Sequence, residues 1–271
     1  MKGRPSHYAT PSESALELLA RVGTPPLELG VPLLAGRVRA GDLVEVAGTA
    51  QWVLAELVCH MAARIMAAAA GNEGGSRVRL VLVDVQRAHD TARTIQLARN
   101  VLAQRGVAAE SAQNRVLDET RVARCDSALQ LLCVLRQCQE ALESSGRQHT
   151  VVLVDGLTNL FWPNKQTGRA AGRGPDVLAA CVRVMRQLAQ KNATVLATKL
   201  VLFPRKSVFD EYFGNGWKSS LKVALAVEDV RMTVAALGRT GPRAQGIVYD
   251  SAAPDKTHAF QVTASGCHFK S

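Results

Sequence analysis

The stretch Leu43-Val44-Glu45-Val46-Ala47-Gly48 decides the fold class of this chain. Its apolar residues form a nearly continuous run, which is typical of a β-strand that is buried on both faces. Gly48 then marks a turn, and residues 52–70 have the length and apolar periodicity of a long amphipathic helix. A buried strand, a glycine turn and a long helix predict the first unit of an α/β protein with a parallel sheet.

The turn after this strand has the position of a phosphate-binding loop but lacks the residues that bind phosphate. In the Walker A motif, G-x-x-x-x-G-K-[ST], the second glycine lets the backbone wrap the phosphates, the lysine reaches them and the hydroxyl binds Mg²⁺. Counted from Gly48 without a gap, those three positions hold Val53, Leu54 and Ala55. Leucine and alanine can neither neutralise a phosphate nor bind a metal. We therefore expect that ATP binding is lost, and that the chain has no catalytic residue, metal or cofactor.

Composition favours a single large domain with a basic surface. The 271 residues are 47% hydrophobic but only 4% aromatic, a balance that suits parallel strands buried on both faces. The net charge of +10 favours polyanions or acidic protein surfaces as partners, although a GC-rich genome alone gives arginine-rich proteins. The six cysteines include no CxxC pair, which indicates reduced thiols in a cytosolic or nuclear protein.

Neither a membrane span nor a secretory signal is expected. The best candidate for a span, residues 52–70, carries Glu56, His60 and Arg64 at successive i+4 positions, which form one polar stripe along a helix. The first eleven residues contain no hydrophobic region of the kind found in signal peptides.

Strands and helices alternate along the chain, which predicts a right-handed parallel α/β core with antiparallel strands added at the C-terminal end. We divide the chain into an N-terminal helix and linker, residues 1–40, and a core domain, residues 41–271. The predicted helices are residues 13–22, 52–70, 91–105, 126–143 and 176–190. The predicted strands are residues 43–46, 78–83, 150–154, 194–198, 221–227, 231–237, 246–249 and 259–262.

Two aspartates, Asp84 and Asp155, stand at the carboxyl ends of predicted apolar strands. Ligand sites of open α/β sheets collect at these ends, and a Walker B aspartate holds Mg²⁺ from such a place. An aspartate at a strand end also caps turns, and this alternative stays open for Asp155.

Three segments give the chain a resemblance to the RecA-like recombinases of eukaryotes and archaea. They are residues 41–48 (GDLVEVAG), 151–161 (VVLVDGLTNLF) and 260–266 (FQVTASG), which are similar to the entry strand, the Walker B strand with its continuation, and the closing strand of that family. The resemblance covers most of the chain and implies a RecA-like central sheet. The Phe161-Trp162 pair and residues 18–21 (LLAR) resemble the short recombinase paralogues of the X-ray-repair cross-complementing type, which lack the N-terminal domain.

The departures from the family pattern concern the hydrolytic site. Beyond the degenerate Walker A positions, Gln86 stands where the family carries a water-activating glutamate, and Leu200 stands about where it carries a phosphate-sensing glutamine. The resemblance therefore implies a catalytically inactive, nuclear paralogue that serves as a structural subunit or mediator in homologous-recombination DNA repair. Its implied partners are recombinase or recombinase-paralogue subunits in a hetero-oligomer.

Two other interpretations stay open. One is an ATPase with an unconventional or partner-completed site, for which Lys199 is the nearby candidate. The other is a RecA-fold adaptor that binds only protein and acts outside repair.

Two basic segments correspond to the loops that face DNA in this family, so single-stranded DNA is a candidate partner. The candidate contacts are Lys165, Arg169 and Arg173 in the first segment, and Arg205, Lys206 and Lys218 in the second. Flexible basic loops track phosphates without reading sequence, and the aromatics of the second segment suit base stacking. The alternatives are a solvated linker for the first segment and core packing for the aromatics of the second.

Overall fold

The computed structural model describes most of the chain from residue 26 onward. The described residues are 26–27, 29–71, 78–107, 114, 116–144, 149–160, 176–201, 213, 215–229, 245–250, 253–263 and 265–269. The helix predicted at 13–22 and the strand predicted at 231–237 lie outside them.

Helices and strands alternate through the first two-thirds of the chain. The strands are β1 (Leu43–Gly48), β2 (Val78–Asp84), β3 (Thr120–Arg124), β4 (His149–Asp155), β5 (Thr194–Leu200), β6 (Val223–Asp229), β7 (Gln245–Asp250), β8 (Ala253–Thr263) and β9 (Gly266–Phe269). The helices are α1 (Gln51–Gly71), α2 (Thr91–Gln104), α3 (Ala128–Ser144), α4 (Val177–Gln190) and the short α5 (Asn215–Lys218).

The nine strands form one sheet in the order β3-β2-β4-β5-β1-β6-β7-β8-β9. The six strands from β3 to β6 are parallel, and β7, β8 and β9 continue the sheet in antiparallel fashion. The predicted α/β class, with a parallel central sheet flanked by helices and antiparallel strands at the C-terminal end, is confirmed.

The helices cover both faces of the parallel sheet, and each face has its own hydrophobic core. On the first face, α1 and α2 pack against one another and against side chains such as Val44, Leu82 and Leu153. On the second face, α3 and α4 pack against one another and against the strand side chains that point to that face, such as Val83 and Val154. Because successive side chains of a strand point to opposite faces, this double coverage explains why β1, β4 and β5 are buried along their whole length.

Side-chain caps set the beginning of two of these helices. The carboxylate of Asp90 accepts a hydrogen bond from Arg93 N at 2.9 Å before α2, and that of Asp176 accepts one from Ala179 N at 3.1 Å before α4. Such caps satisfy backbone donors that a helix leaves unpaired at its first turn. They place the start of both helices at the carboxyl end of the sheet.

Two strands were not predicted, β3 and β9. The residues of β3 are only half-buried or exposed, because this strand lies at the edge of the sheet and pairs with β2 alone among the described strands. Arg121 and Arg124 interrupt its apolar character, as is common in edge strands. Four-residue β9 follows a turn and is too short to give a periodic signal.

The predicted polar stripe lies on α1, and His60 is a member of it that the domain covers. This side chain is buried, and its Nε2 donates to the Gly30 carbonyl at 3.1 Å while its Nδ1 accepts from Cys267 N at 3.4 Å. The segment before β1 covers the helix here, since its apolar residues belong to the first core. These residues are Leu27, Leu29, Val31, Leu33, Leu34 and Val38.

By length and composition alone, residues 51–69 of α1 could cross a membrane, contrary to the sequence-based expectation. However, 67% of this stretch is buried within the domain. A core helix that packs between a sheet and a second helix meets the same criteria, and α1 occupies that position.

Candidate functional site

Chain connections diverge to opposite faces at the carboxyl end of the parallel sheet. The chain leaves β2 for α2 on the first face, whereas it leaves neighbouring β4 for α4 on the second face. In open α/β sheets, ligands bind at such a switch point. Asp84 and Asp155 are register partners at the last positions of β2 and β4. The two predicted aspartates are thus brought together at this point.

The turn after β1 differs from a phosphate-binding loop in length as well as in chemistry. Only Thr49 and Ala50 separate the end of β1 from the start of α1, and Leu54 N donates to the Ala50 carbonyl at 3.1 Å in the first helical turn. The Walker A motif requires four residues between its two glycines. Here Val53 already lies inside the helix, so the backbone has no open loop that could surround a phosphate.

Apolar packing closes this turn. The side chains of Val53 and Leu54 are fully buried, and Ala55 is half-buried. A Cβ built on Gly48 would lie 3.7 Å from Leu54 Cδ1 and 3.1 Å from the Val227 carbonyl oxygen. Leu54 therefore packs close to the glycine backbone, at the sequence position where an active P-loop carries its lysine.

Among the described residues, two neutral groups and no cation donate hydrogen bonds to Asp155. Its Oδ1 accepts from Thr198 Oγ1 at 2.6 Å and from Gln86 Nε2 at 3.0 Å. The backbone N–H of Gly156 donates to Thr198 Oγ1 at 2.7 Å, so the threonine hydroxyl connects β5 with the end of β4. Gln86 also covers Gly156, because a Cβ on that glycine would lie only 1.9 Å from Gln86 Cγ.

Three further oxygens of this cluster are buried without a hydrogen-bond donor among the described residues. They are Asp84 Oδ1, Asp155 Oδ2 and Gln86 Oε1. Burial raises the pKa of Asp155 to about 6, the hydrogen bonds from Thr198 and Gln86 oppose the rise, and the nearby Asp84 adds to it. A carboxyl group in this setting gains by keeping its proton, since none of the neighbours that the structure describes is a counter-ion that would offset the cost of a buried negative charge.

Among the described residues, no group of three or more histidine, cysteine, aspartate or glutamate side chains could hold a metal ion. The hydroxyl that would bind Mg²⁺ in a P-loop is also absent, because Ala55 occupies its position.

Lys199 faces away from the carboxyl pair. Thr198 directs its hydroxyl to Asp155, and the next residue of a strand points to the opposite face. There the Lys199 ammonium lies 2.9 Å from Glu45 Oε1, and both side chains are buried. Lys199 is therefore not placed to contact a phosphate at the end of β1 or β4.

The backbone of Leu200 forms two hydrogen bonds at this end of β5, and its side chain is buried. Its N–H donates to Thr158 Oγ1 at 2.9 Å, and its carbonyl accepts from the same hydroxyl at 3.0 Å. Thr158 thus ties the short helical turn after β4 to β5. Sequence reasoning missed this role of Thr158, and the hydroxyl at this position is the only signal that could have indicated it.

Sequence reasoning also missed a buried cysteine–histidine pair between α1 and α2. Cys59 Sγ lies 3.9 Å from His89 Nδ1, and His89 Nε2 lies 3.0 Å from Thr94 Oγ1. Burial raises the pKa of the Cys59 thiol to about 11, and burial also lowers the pKa of His89. A thiol in this state is a poor nucleophile, so the pair has a packing role.

Only one of the six candidate DNA contacts falls on described residues. Lys218 is exposed on α5, and the other five (Lys165, Arg169, Arg173, Arg205 and Lys206) lie outside the described part of the chain. Close to Lys218 in sequence, Lys222 N donates to the Leu43 carbonyl at 2.8 Å. Since Leu43 begins β1, Lys222 lies at the end of the sheet opposite to Asp155.

The edge strand β3 is a second surface of interest. Its outer edge has no partner strand within the described ranges. Val122 in this strand is 42% exposed, and Leu117 just before it is 45% exposed. Unpaired backbone groups beside exposed apolar side chains are a template for strand pairing with another chain.

The sequence of this chain matches no model of a known protein family, and it matches no curated protein.

Proposed function

We propose that this protein is a non-hydrolysing, RecA-like recombinase paralogue that serves as a structural subunit or mediator in homologous-recombination DNA repair. The observation that carries the inactive part of this proposal is the closed turn between Gly48 and α1. A two-residue turn with a buried leucine gives phosphates neither an open backbone loop nor a cation. The sequence segments at residues 41–48 and 151–161 support the RecA-like part.

The surroundings of Asp155 support the same proposal. Phosphoryl transfer needs a metal and positive groups that neutralise charge on the transferred phosphoryl group. Among the described residues, this end of the sheet has two adjacent carboxyl groups and an amide at Gln86, while Lys199 points to the opposite face of the sheet. Such a set repels phosphate, and an alternative ATPase built on Lys199 would require that Lys199 leave its buried ion pair.

The open edge of β3 supports a role as a subunit. A partner that pairs its own strand with β3 would satisfy the backbone groups of that edge and cover Val122 and Leu117. Arg121 and Arg124, which are exposed on the same strand, favour acidic residues on the partner strand. Recombinase or paralogue subunits in the nucleus are the partners that the resemblance indicates, together with single-stranded DNA.

Nucleotide binding tests the inactive pocket directly. Purified protein is titrated with labelled ATP and Mg²⁺ by equilibrium dialysis, beside a P-loop ATPase as the positive control. We expect no saturable binding up to millimolar ATP. Micromolar binding would overturn the inactive-pocket proposal.

Affinity purification tests the role in repair. The tagged protein and its Val122→Lys variant are recovered from their own cells, and bound proteins are identified by mass spectrometry. We expect recombinase or paralogue subunits with the wild type and a loss of these subunits with the variant. Leu129→Lys is the matched control, because Leu129 is 61% exposed but lies on α3 and not on the edge strand. Recovery of abundant, soluble protein without such subunits would favour the adaptor that acts outside repair.

A further inference from the structure

Three buried oxygens at the carboxyl end of the sheet accept no hydrogen bond from the described residues. They are Asp84 Oδ1, Asp155 Oδ2 and Gln86 Oε1. The relative exposures of Asp84 and Asp155 are 1% and 0%. Burial of an acceptor without a donor is costly, and the cost is larger when the acceptor is charged. The folded protein therefore has unused hydrogen-bonding capacity at this point.

The three oxygens belong to one cluster on one face of the sheet. Leu82 and Leu153 contribute to the first hydrophobic core. Asp84 and Asp155 follow two positions later on the same strands, so both carboxyl groups point to that face. They are also register partners on neighbouring strands. Gln86 Nε2 donates to Asp155 Oδ1 at 3.0 Å, which places the amide oxygen of the same side chain in this cluster.

Two guanidinium groups lie near this cluster, and both are directed elsewhere. Arg87, the residue after Gln86, donates from its guanidinium to the Asp126 carboxylate. Arg124 is the register partner of Asp84 on the edge strand, and its side chain is exposed. Neither of them donates to the three oxygens. A cation that satisfies these oxygens is therefore one that another molecule brings.

The chemistry of the cluster selects a primary ammonium group. Such a group carries a positive charge and three N–H donors without any acceptor, so one group serves three acceptors. A water molecule has two hydrogens and does not compensate charge, and a proton on Asp155 serves one oxygen only. A Mg²⁺ ion takes six oxygen ligands in octahedral geometry, whereas three oxygens lack a partner here.

We propose that Asp84, Gln86 and Asp155 form a binding site for a primary ammonium group. Gln86 is half-buried, so the cluster meets solvent at this side chain. A lysine side chain of a partner subunit and a free alkylamine present the same group. The choice of the lysine rests on the proposed function as a subunit, whereas the ammonium site itself does not depend on it. The polarity of this site is opposite to that of a phosphate-binding loop.

Urea unfolding in the presence of methylammonium tests the site. A ligand that binds only the folded state lowers the unfolding equilibrium constant by the factor 1 + [L]/Kd. A dissociation constant of about 10 to 50 mM is reasonable for a ligand of two heavy atoms. At about 100 mM methylammonium chloride and pH 7.5, we therefore expect an unfolding constant about three- to tenfold lower than in tetramethylammonium chloride.

Tetramethylammonium is the matched control ligand, because it has the same charge but lacks N–H donors. Equal unfolding constants in the two salts would overturn the ammonium site. Potassium chloride at the same concentration tests the selectivity, and stabilisation by potassium as strong as that by methylammonium would also overturn it.

Two variants locate the effect in the protein. Asp84→Asn combined with Asp155→Asn removes both charges, and the new amide groups can donate to neighbouring oxygens. We expect the difference between methylammonium and tetramethylammonium to disappear in this double variant. Asp118→Asn alters an exposed carboxylate outside the cluster and should keep the wild-type difference. The opposite result with either variant would overturn the site, and the comparison of salts in the wild type decides the matter if the double variant does not fold.

Two larger probes distinguish the sources of the ammonium group. Nα-acetyl-lysine methylamide and n-butylammonium carry it on the same four-carbon stem, but only the first has a peptide backbone. Stabilisation by both probes supports a lysine of a partner, and stabilisation by n-butylammonium alone assigns the site to free amines and overturns the lysine. Absence of any ammonium effect overturns the site itself, whereas ATP binding and the recovery of partner subunits decide the proposed function.

Discussion

The proton on Asp155 predicts an unusual pH dependence of stability. The pKa of this carboxyl group is about 6 in the folded protein, against a reference value of 3.8, and burial is the main cause. Between these two values the folded state holds a proton that the unfolded state has released. Stability is therefore highest at acid pH as far as this group is concerned, and it falls as pH rises from about 4 to 6.

The size of this loss of stability follows from the shift in the pKa of Asp155. A difference of about 2 pKa units corresponds to about 3 kcal/mol, which is lost in full above pH 7. Between pH 4.5 and 7.5, a range accessible to experiment, the loss is about 2 kcal/mol by the same relation. Asp155→Asn removes the titration and suits the site, because the amide oxygen can accept from Thr198 and Gln86. Its NH₂ group can donate to the oxygens that lack a donor.

Urea unfolding followed by far-ultraviolet circular dichroism provides the assay. The free energy of unfolding is measured for the wild type and for Asp155→Asn at pH 4.5, 6.0 and 7.5. We expect the variant to gain about 2 kcal/mol relative to the wild type across this range. The difference between the two proteins cancels the titration of all other groups. Asp118→Asn, which alters an exposed carboxylate, is the control.

A difference in unfolding free energy that is independent of pH would refute this reasoning. It would mean that Asp155 is ionised in the folded protein and that a donor or cation compensates its charge. A variant that is less stable at pH 7.5 than at pH 4.5, relative to the wild type, would have the same consequence.

Three further predictions concern the same end of the sheet and the helix that covers it. Gly156→Ala should lower the free energy of unfolding by about 2 kcal/mol or more, because φ at this glycine is +85° and the new methyl group would meet Gln86 Cγ. In urea unfolding, the additional change Gln86→Ala should restore part of this loss. Leu54→Lys combined with Ala55→Thr should not restore ATP binding in isothermal titration, since the turn before α1 has two residues instead of four. Burial lowers the pKa of His60 to about 4, below its reference value of 6.5. This group should therefore reduce the free energy of unfolding by up to about 3 kcal/mol as pH falls from 6.5 to 4. The loss should be absent in His60→Gln.

The elements with strong local signals could be predicted from sequence. The apolar runs of β1, β4 and β5 identify strands that are buried on both faces. Asp84 and Asp155 were expected to share one edge of the sheet because both follow such strands, and they are in fact register partners. These features depend on residues that are close in sequence.

The missed features depend on contacts between distant segments. β3 is recognisable only through its pairing with β2, because an edge strand needs no apolar run. His60 is buried because the segment around Gly30 and the strand β9 cover it, and no property of α1 itself indicates this. The ion pair of Lys199 requires the register between β1 and β5, which sequence periodicity does not contain.

The properties of Leu54, Gln86 and Asp155 are physically linked. A lysine at position 54 would supply a positive charge near the carboxyl end of the sheet, and the buried Leu54 supplies none. A glutamate at position 86 would bring a third carboxylate to a site where the described residues offer two others no cation, whereas Gln86 donates a hydrogen bond to Asp155 Oδ1. Burial favours the protonated form of Asp155 for the same reason. The leucine at position 54, the amide at position 86 and the protonated form of Asp155 are therefore mutually compatible in one buried site to which the described residues bring no cation. This compatibility supports the proposal of a subunit that contributes a scaffold and no hydrolysis.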